Sequence, residues 1–500
     1  MSELHFPWLE AGVLLPLIGL LSLIGCRDSE QVRRRTILTL SITLLTTLGA
    51  AIDFFQNGSR AAHDHWDALR QLAGRDVLMI DALSAPLLPL TAMLSLVTAL
   101  STPSTKRRRF PFGWNLVSTS LLLATFSSRA PGDVVLLTTL GMLPPLMELV
   151  GRKRPVRVFC LHMGLCAALL VSGWWLSQSV SPTAAVWGAG LLLAGVLVRS
   201  GVVPVHCWLT DLFEHATFGS ALLFATPMVG AYAAVRLVLP IAPDWMIRSL
   251  ALASLATSVY AAAMALVQTE ARRFFCYVFL SHSALVLVGL ETATPISLTG
   301  SLAVWLSSAL ALTGFGLTLR SMEARIGRIS LANYHGMYEH TPTLAIFFLL
   351  TGLASVGFPG AFGFIGAELL VEGAVAAYPG VGTAVVLAAA LNGIAVLQAY
   401  FRVFTGVRHA SAIPLRIGAP ERASALVLTA LIAIGGLIPQ PYISSRYQAA
   451  LEIHESRALR GAASPPVVRR AQTASPSPSL TEVPPRAARS QDALHVRTDH

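Results

Sequence analysis

The sequence predicts an all-α polytopic membrane protein of about fourteen transmembrane helices, with two inverted five-helix repeats and broken helices 7 and 12. Three observations predict it. Of 500 residues, 54% are hydrophobic and 12% charged, about half the roughly 25% charged fraction of soluble domains. Apolar runs near 20 residues, the length that crosses a bilayer, recur along the chain. Lys and Arg fall in alternate loops, the signature of a threaded membrane chain.

This composition excludes a secreted, disordered or ordinary cytosolic protein. Cys26, Cys160, Cys166, Cys207 and Cys276 lie in or beside apolar runs, and no CxxC spacing occurs. Neither disulfides nor a cysteine-bound metal or iron–sulfur centre is expected. No GxxxxGKS loop is present, and no strand precedes a glycine fingerprint. No cofactor is therefore expected.

The first run spans 8–26. The residues before its apolar core include Glu3 and Glu10 but no Lys or Arg, and no small-residue cleavage site follows. It reads as a retained helix rather than a signal peptide. Further helices are expected at 36–54, 78–101, 111–127, 131–150, 156–177, 183–205, 216–241, 247–267, 274–291, 296–319, 342–377, 381–404 and 422–440. The 342–377 run is too long for one straight span, and Gly357, Pro359 and Gly360 break it. Gly201 and Pro204 interrupt 183–205. These two interruptions lie five helices apart. They divide the chain into units of about 111–241 and 247–404, each with its broken helix fourth. An odd number of helices per unit forces inverted topology, as in secondary transporters.

Loops after helices 1, 3, 5, 9, 11 and 13 hold 21 Lys and Arg, and the alternate loops hold 5. This split places the odd-numbered loops in the cytoplasm, in a cell's inner membrane, with both termini on the outer side. Residues 1–440 form the membrane domain, and 441–500 differ in kind. YISSRYQAALEIHESRALR reads as an amphipathic helix on the membrane surface. From Gly461 the chain is rich in Pro, Ser, Ala and Arg and reads as disordered. Eight arginines in the last 60 residues explain much of the +10 net charge. No nucleic-acid partner is implied.

Ionisable residues at bilayer depth mark ion paths or structural pairs. The candidates are Asp53, Asp81, Asp133, Glu148, His162, Arg199, His206, Arg236, Glu291, Glu368 and Glu372. Asp53, Asp133, Arg236 and Glu291 lie near helix ends and read as interfacial. His162 reads as a packing residue. Arg199 sits deep in helix 7, and arginine holds its proton at any accessible pH. It needs a carboxylate, and Glu148 on helix 5 is the expected partner. Such a pair serves either an ion path or static helix packing. Glu368 and Glu372 share a helix face just beyond the Gly357–Gly360 break. They read as a proton-carrying pair or as a surface pair at the outer end.

Four stretches carry a family resemblance, which covers about residues 78–405: IDALSAPLLPLTAM, RSGVVPVHCWLTDLFEHA, QTEARRFFCYVFLSHSALVLVGL and LASVGFPGAFGFIGAELL. They resemble the antiporter-like, proton-translocating membrane subunits of respiratory complex I and of Mrp-type sodium/proton antiporters. The resemblance implies a fourteen-helix bundle working with other membrane subunits, and with a soluble subunit in some assemblies. At most the chain is a non-catalytic membrane subunit of an NADH:quinone oxidoreductase-type complex. A membrane subunit of an inorganic-carbon uptake system is the alternative. The family moves protons along buried charges at the bilayer midplane. Arg199 stands at its helix 7 lysine position, Met228 at its helix 8 lysine, and Ser308 and Leu312 at its helix 11 histidine and lysine. The helix 5 glutamate falls near Leu140, two turns from Glu148. The helix 12 position falls on Ala367, beside Glu368. His206, Trp208, Asp211, Arg272, Arg273 and His282 are retained. Two expectations follow. Protons pass by an altered route through Glu148, Arg199, His206, Glu368 and Glu372, or the chain is a non-conducting structural subunit.

Overall fold

The apolar runs fold as helices, and the computed structural model describes residues 2–291, 294–407 and 416–463. A hairpin opens the bundle, with α1 at Trp8–Ser22 and α2 at Ser29–Asn57. The Asp28 side chain accepts the Glu30 N–H and caps α2, which starts the helix well before the expected residue 36. Gly58 ends it in the left-handed region. Three short strands, β1 (Ser2–Leu4), β2 (Ala61–Asp64) and β3 (Ile80–Asp81), form a sheet with β2 in the middle. β1 and β2 run parallel, and β2 and β3 antiparallel. The sheet and the short α3 (Ala68–Ala73) cap the end of the bundle away from the basic loops. Sequence reading missed this cap, because strands of two to four residues carry no readable period.

The 78–101 run is helical only over α4 (Leu87–Leu100). Its first residues form a turn in which the Ser84 N–H donates to Asp81 Oδ1 and the Asp81 N–H to Ser84 Oγ, both at 3.0 Å. α5 is Phe112–Phe126. The 131–150 run divides at Gly141 into α6 (Pro131–Leu140) and α7 (Leu143–Gly151). α8 (Arg157–Ser177) pairs with α9 (Pro182–Ser200). Gly201 (φ +70°) stops α9, a cis Val203–Pro204 bond follows, and α10 (Cys207–His215) resumes the path. The 216–241 run also divides, into α11 (Phe218–Ala225) and α12 (Val229–Ala233), the latter passing into a π turn over Ala234–Val238. α13 (Asp244–Leu266), α14 (Ala271–Val288) and α15 (Pro295–Ile326) follow. Gly357 and Gly360, at φ +84° and +83°, separate α16 (Pro342–Val356) from α17 (Phe364–Ala377). α18 (Pro379–Phe404), α19 (Ala419–Leu437) and α20 (Gln440–Ala463) complete the described chain.

Ten of these helical stretches are long and apolar enough to cross a membrane. The protein is an all-α polytopic membrane protein, and helices 7 and 12 are broken where the sequence predicts. α15 is its central post, buried on every side from Ser297 to Glu323; a helix apolar all round must be covered all round. Peripheral helices turn Leu161, Trp175, Ile394 and Leu437 outward. Small residues bring backbones together, as in membrane bundles. A Cβ on Gly300 of α15 would meet the Leu370 backbone N of α17 at 2.4 Å. One on Gly188 of α9 would meet the Ser177 N at 2.6 Å.

The expected surface helix of the C-terminal segment is longer, and it is docked. In α20 the Arg446 side chain is 1% exposed and donates to the Ala82 and Leu83 carbonyls. Tyr442 Oη donates to the Phe362 carbonyl at 2.5 Å, beside the break between α16 and α17. The expected disordered tail lies outside the described residues beyond 463.

Candidate functional site

Arg199 occupies the last turn of α9, just before the Gly201 break, and is 5% exposed. Its Nη2 donates to the Phe224 carbonyl at 3.3 Å. Its Cζ lies 4.0 Å from the Phe224 ring centroid and 5.9 Å from that of Trp208. Two cavities of about 20 Å³ flank the guanidinium, one lined by Ser200 and the other by Thr138, each large enough for about one water. The hydroxyls of Ser200 and Thr138 and the Arg199 Nε have no partner among the described residues. Trp208 Nε1 donates to the Val198 carbonyl at 2.9 Å, which ties α10 to α9 across the break.

The expected Glu148–Arg199 pair does not form. Glu148 Oε1 accepts the Thr217 N–H at 2.8 Å and lies 3.3 Å from Arg152 Nη1; its buried Oε2 has no partner. The physical reason is distance along the helical path, which only pauses at Gly141. Across that pause the path runs on, so that Leu137, Thr138 and Gly141 lie beside Arg199 and Glu148 sits about two turns further along, at the basic-loop end. Among the described residues, Arg199 has no carboxylate within salt-bridge distance. Rings and a carbonyl serve it instead.

The other retained positions scatter. His206 is half-buried at the break, its ring 5.8 Å from that of Tyr260 and 6.0 Å from that of Tyr277, and its Nδ1 has no partner among the described residues. Asp211 pairs with His215 at 3.1 Å. Arg272 forms a bidentate pair with Glu323 at 2.7 Å and also donates to the Phe213 carbonyl at 2.9 Å. Arg273 lies 3.9 Å from Glu214. His282 is buried and donates from Nδ1 to the Val278 carbonyl at 2.7 Å. Beside it runs a neutral network: Asn392 Nδ2 donates to Ser281 Oγ at 2.8 Å, and Ser281 Oγ donates to the Ser258 carbonyl at 2.9 Å. Ser308 Oγ and Thr313 Oγ1 are buried without partners among the described residues. Glu368 and Glu372 do share one face of α17, and both are exposed. They lie on the outside of the chain, and the structure does not bring them to Arg199.

Sequence reasoning missed buried ion pairs, Arg325 with Glu421 and Arg236 with Asp81. Arg236, expected to be interfacial, lies 2.7 Å from Asp81, which also meets Arg129 at 3.4 Å. The readable signal was two opposite charges, one near the start of the 78–101 run and one near the end of the 216–241 run, which alternate crossing puts on the same side. Asp133, also expected to be interfacial, forms a bidentate pair with Arg75 at 2.6 Å. No group of three or more His, Cys, Asp or Glu able to hold a metal occurs among the described residues.

Residues 163–392 match the model of the family described as "NADH:quinone oxidoreductase/Mrp antiporter", transmembrane region. NAD(P)H-quinone oxidoreductase chain 4 of Trichormus variabilis is 26% identical over 403 residues, covering 74% of this chain and 75% of that protein. NADH-quinone oxidoreductase subunit M of Rickettsia conorii is 30% identical over 182 residues, 35% of this chain and 37% of that one. A chain of respiratory complex I from Thermus thermophilus has the same fold at a TM-score of 0.79 and 22% identity, covering 90% of this chain and 99% of that one. A chain of the Mrp complex from Dietzia superposes at a TM-score of 0.78 and 18% identity, with 91% and 99% covered. These matches make the chain similar to the antiporter-like membrane subunits of NADH:quinone oxidoreductases and Mrp antiporters, whose fold it shares.

Proposed function

We propose that this chain is a membrane subunit of a complex I-like or Mrp-like ion-translocating assembly, and that its own midplane passes protons poorly. It sits in the inner membrane, its basic loops in the cytoplasm and both termini outside, among other membrane subunits. The first part draws on relatives that are quinone oxidoreductase chains and on the shared fold. The second rests on one observation, a buried Arg199 held by a carbonyl and two rings. A relay group must give up its proton in each cycle, and arginine in effect does not. The neutral Ser281–Asn392 network supports the same reading. So do the outward positions of Glu368 and Glu372.

The test begins with purification of the intact assembly and identification of its subunits by mass spectrometry. Hydrophilic dehydrogenase or Mrp subunits are expected. A soluble zinc-dependent partner alone would replace this reading with the inorganic-carbon alternative. Proton flux is then measured in vesicles carrying the assembly. Glu368→Gln is expected to leave flux within about twofold, whereas loss of one essential proton-transfer group costs about 10²-fold or more. A loss of that size would place the proton route through Glu368 and overturn the restricted-midplane reading.

A further inference from the structure

A cavity of about 350 Å³ opens at the basic-loop end of the bundle, between the segment before α5, the end of α10 and the end of α15. Seven Lys and Arg line it against two carboxylates, Glu214 and Glu323. Both carboxylates are engaged. Glu323 is held by Arg272 at 2.7 Å, and Glu214 lies 3.3 Å from Arg328. Arg152 has Glu148 at 3.3 Å. Lys106, Arg109, Arg154 and Arg320 remain without a carboxylate in salt-bridge range among the described residues.

Arg320 makes the excess charge informative. It is 6% exposed, and its partners are neutral: the Thr98 carbonyl at 3.0 Å, Thr102 Oγ1 at 2.9 Å and the Phe110 ring at 4.8 Å. A guanidinium taken out of water with only neutral contacts is poorly offset, since the carboxylates that act on it from further away, Glu421, Glu148 and Glu323, are each engaged by another arginine. Three more cations face the same space. A single carboxylate offsets one charge, whereas phosphate oxygens accept from several guanidinium forks at once. The volume is at the small end of ligand pockets, large enough for a headgroup. Basic pockets between helix ends on the cytoplasmic side are where anionic lipid headgroups bind.

We propose that this cavity binds a phosphate-bearing anion, either the headgroup of an anionic phospholipid or a soluble phosphate. The full-length chain, with its partners, is placed in nanodiscs of phosphatidylglycerol or of phosphatidylcholine, and its melting temperature is measured. A parallel arm adds inorganic phosphate in phosphatidylcholine, against chloride at equal ionic strength. A rise in melting temperature with phosphatidylglycerol identifies the lipid, and a rise with inorganic phosphate alone identifies the soluble source. Arg109→Gln/Arg154→Gln alters two exposed residues and leaves the packed core intact. It is expected to lose most of either rise, and Arg320→Gln to lose it too. A double variant that keeps the full rise overturns the site. So does the absence of a rise in both arms, including the case in which the double variant instead loses an acidic protein partner.

Discussion

Two buried charges show how much chemistry rests on one residue. Arg199 was legible as a buried cation because an arginine deep in an apolar run stands out. Its surroundings were not legible, since nothing in the linear sequence shows that Phe224 and Trp208 pack around it in place of a carboxylate. Replacing Arg199 by Lys keeps a cation near Phe224 but restores a group that can lose its proton when buried. Arg199→Lys is expected to leave assembly intact and to raise proton flux in vesicles severalfold. Flux below that of the unmodified protein would mean that the guanidinium itself takes part. Asp64, in the terminal sheet, behaves differently. Burial is the main cause that pushes its carboxyl up to about 6 from the usual 3.8, against N–H donors from Glu10 and Leu9. The folded chain therefore holds a proton between roughly these values that the unfolded chain releases. Stability from this group is present at low pH and falls as pH rises through about 6. The melting temperature of the protein relative to Asp64→Asn is expected to be higher at about pH 5 than at about pH 7.5. A flat difference would show that Asp64 does not titrate there.

At the scale of elements, the breaks in helices 7 and 12 were legible because Gly201, Pro204, Gly357 and Gly360 interrupt runs that could not otherwise span straight. The breaks in helices 5 and 8 carried similar residues, Gly141, Pro144, Pro145 and Pro227. They escaped because a proline in the first turn of a resumed helix looks the same as one tolerated within a run. Helix contacts were less legible still, since a glycine in an apolar run does not announce which helix it meets. Gly300 is such a residue. Gly300→Ala sets a Cβ against the α17 backbone at 2.4 Å, which an adjacent backbone cannot easily relieve. A loss of about 1–3 kcal/mol is expected. Gly164→Ala in α8 meets nothing within 4 Å and is expected to stabilise by about 0.5–1 kcal/mol through helix propensity. Denaturation of both variants in the same detergent compares them. Equal effects would mean that α15 and α17 are not in backbone contact.

At the scale of the whole molecule, the structure groups the basic loops at one end. Arg107, Arg152, Arg272 and Arg325 gather there with Glu30, Glu148, Glu323 and Glu421. The opposite end carries the three-stranded sheet and the N-terminus. Charge retained on the cytoplasmic side orients a membrane chain, so the orientation proposed above puts this basic end in the cytoplasm. The loop between α8 and α9 belongs to the sheet end, and Val180 there is fully exposed. Arg108, between α4 and α5, is exposed at the basic end. In a cysteine-free background, Val180→Cys is expected to react with a membrane-impermeant maleimide in right-side-out vesicles and Arg108→Cys only in inside-out vesicles. The reverse pattern would put both termini in the cytoplasm. It would also show that the arginine clusters serve a partner surface and do not set the orientation of the chain.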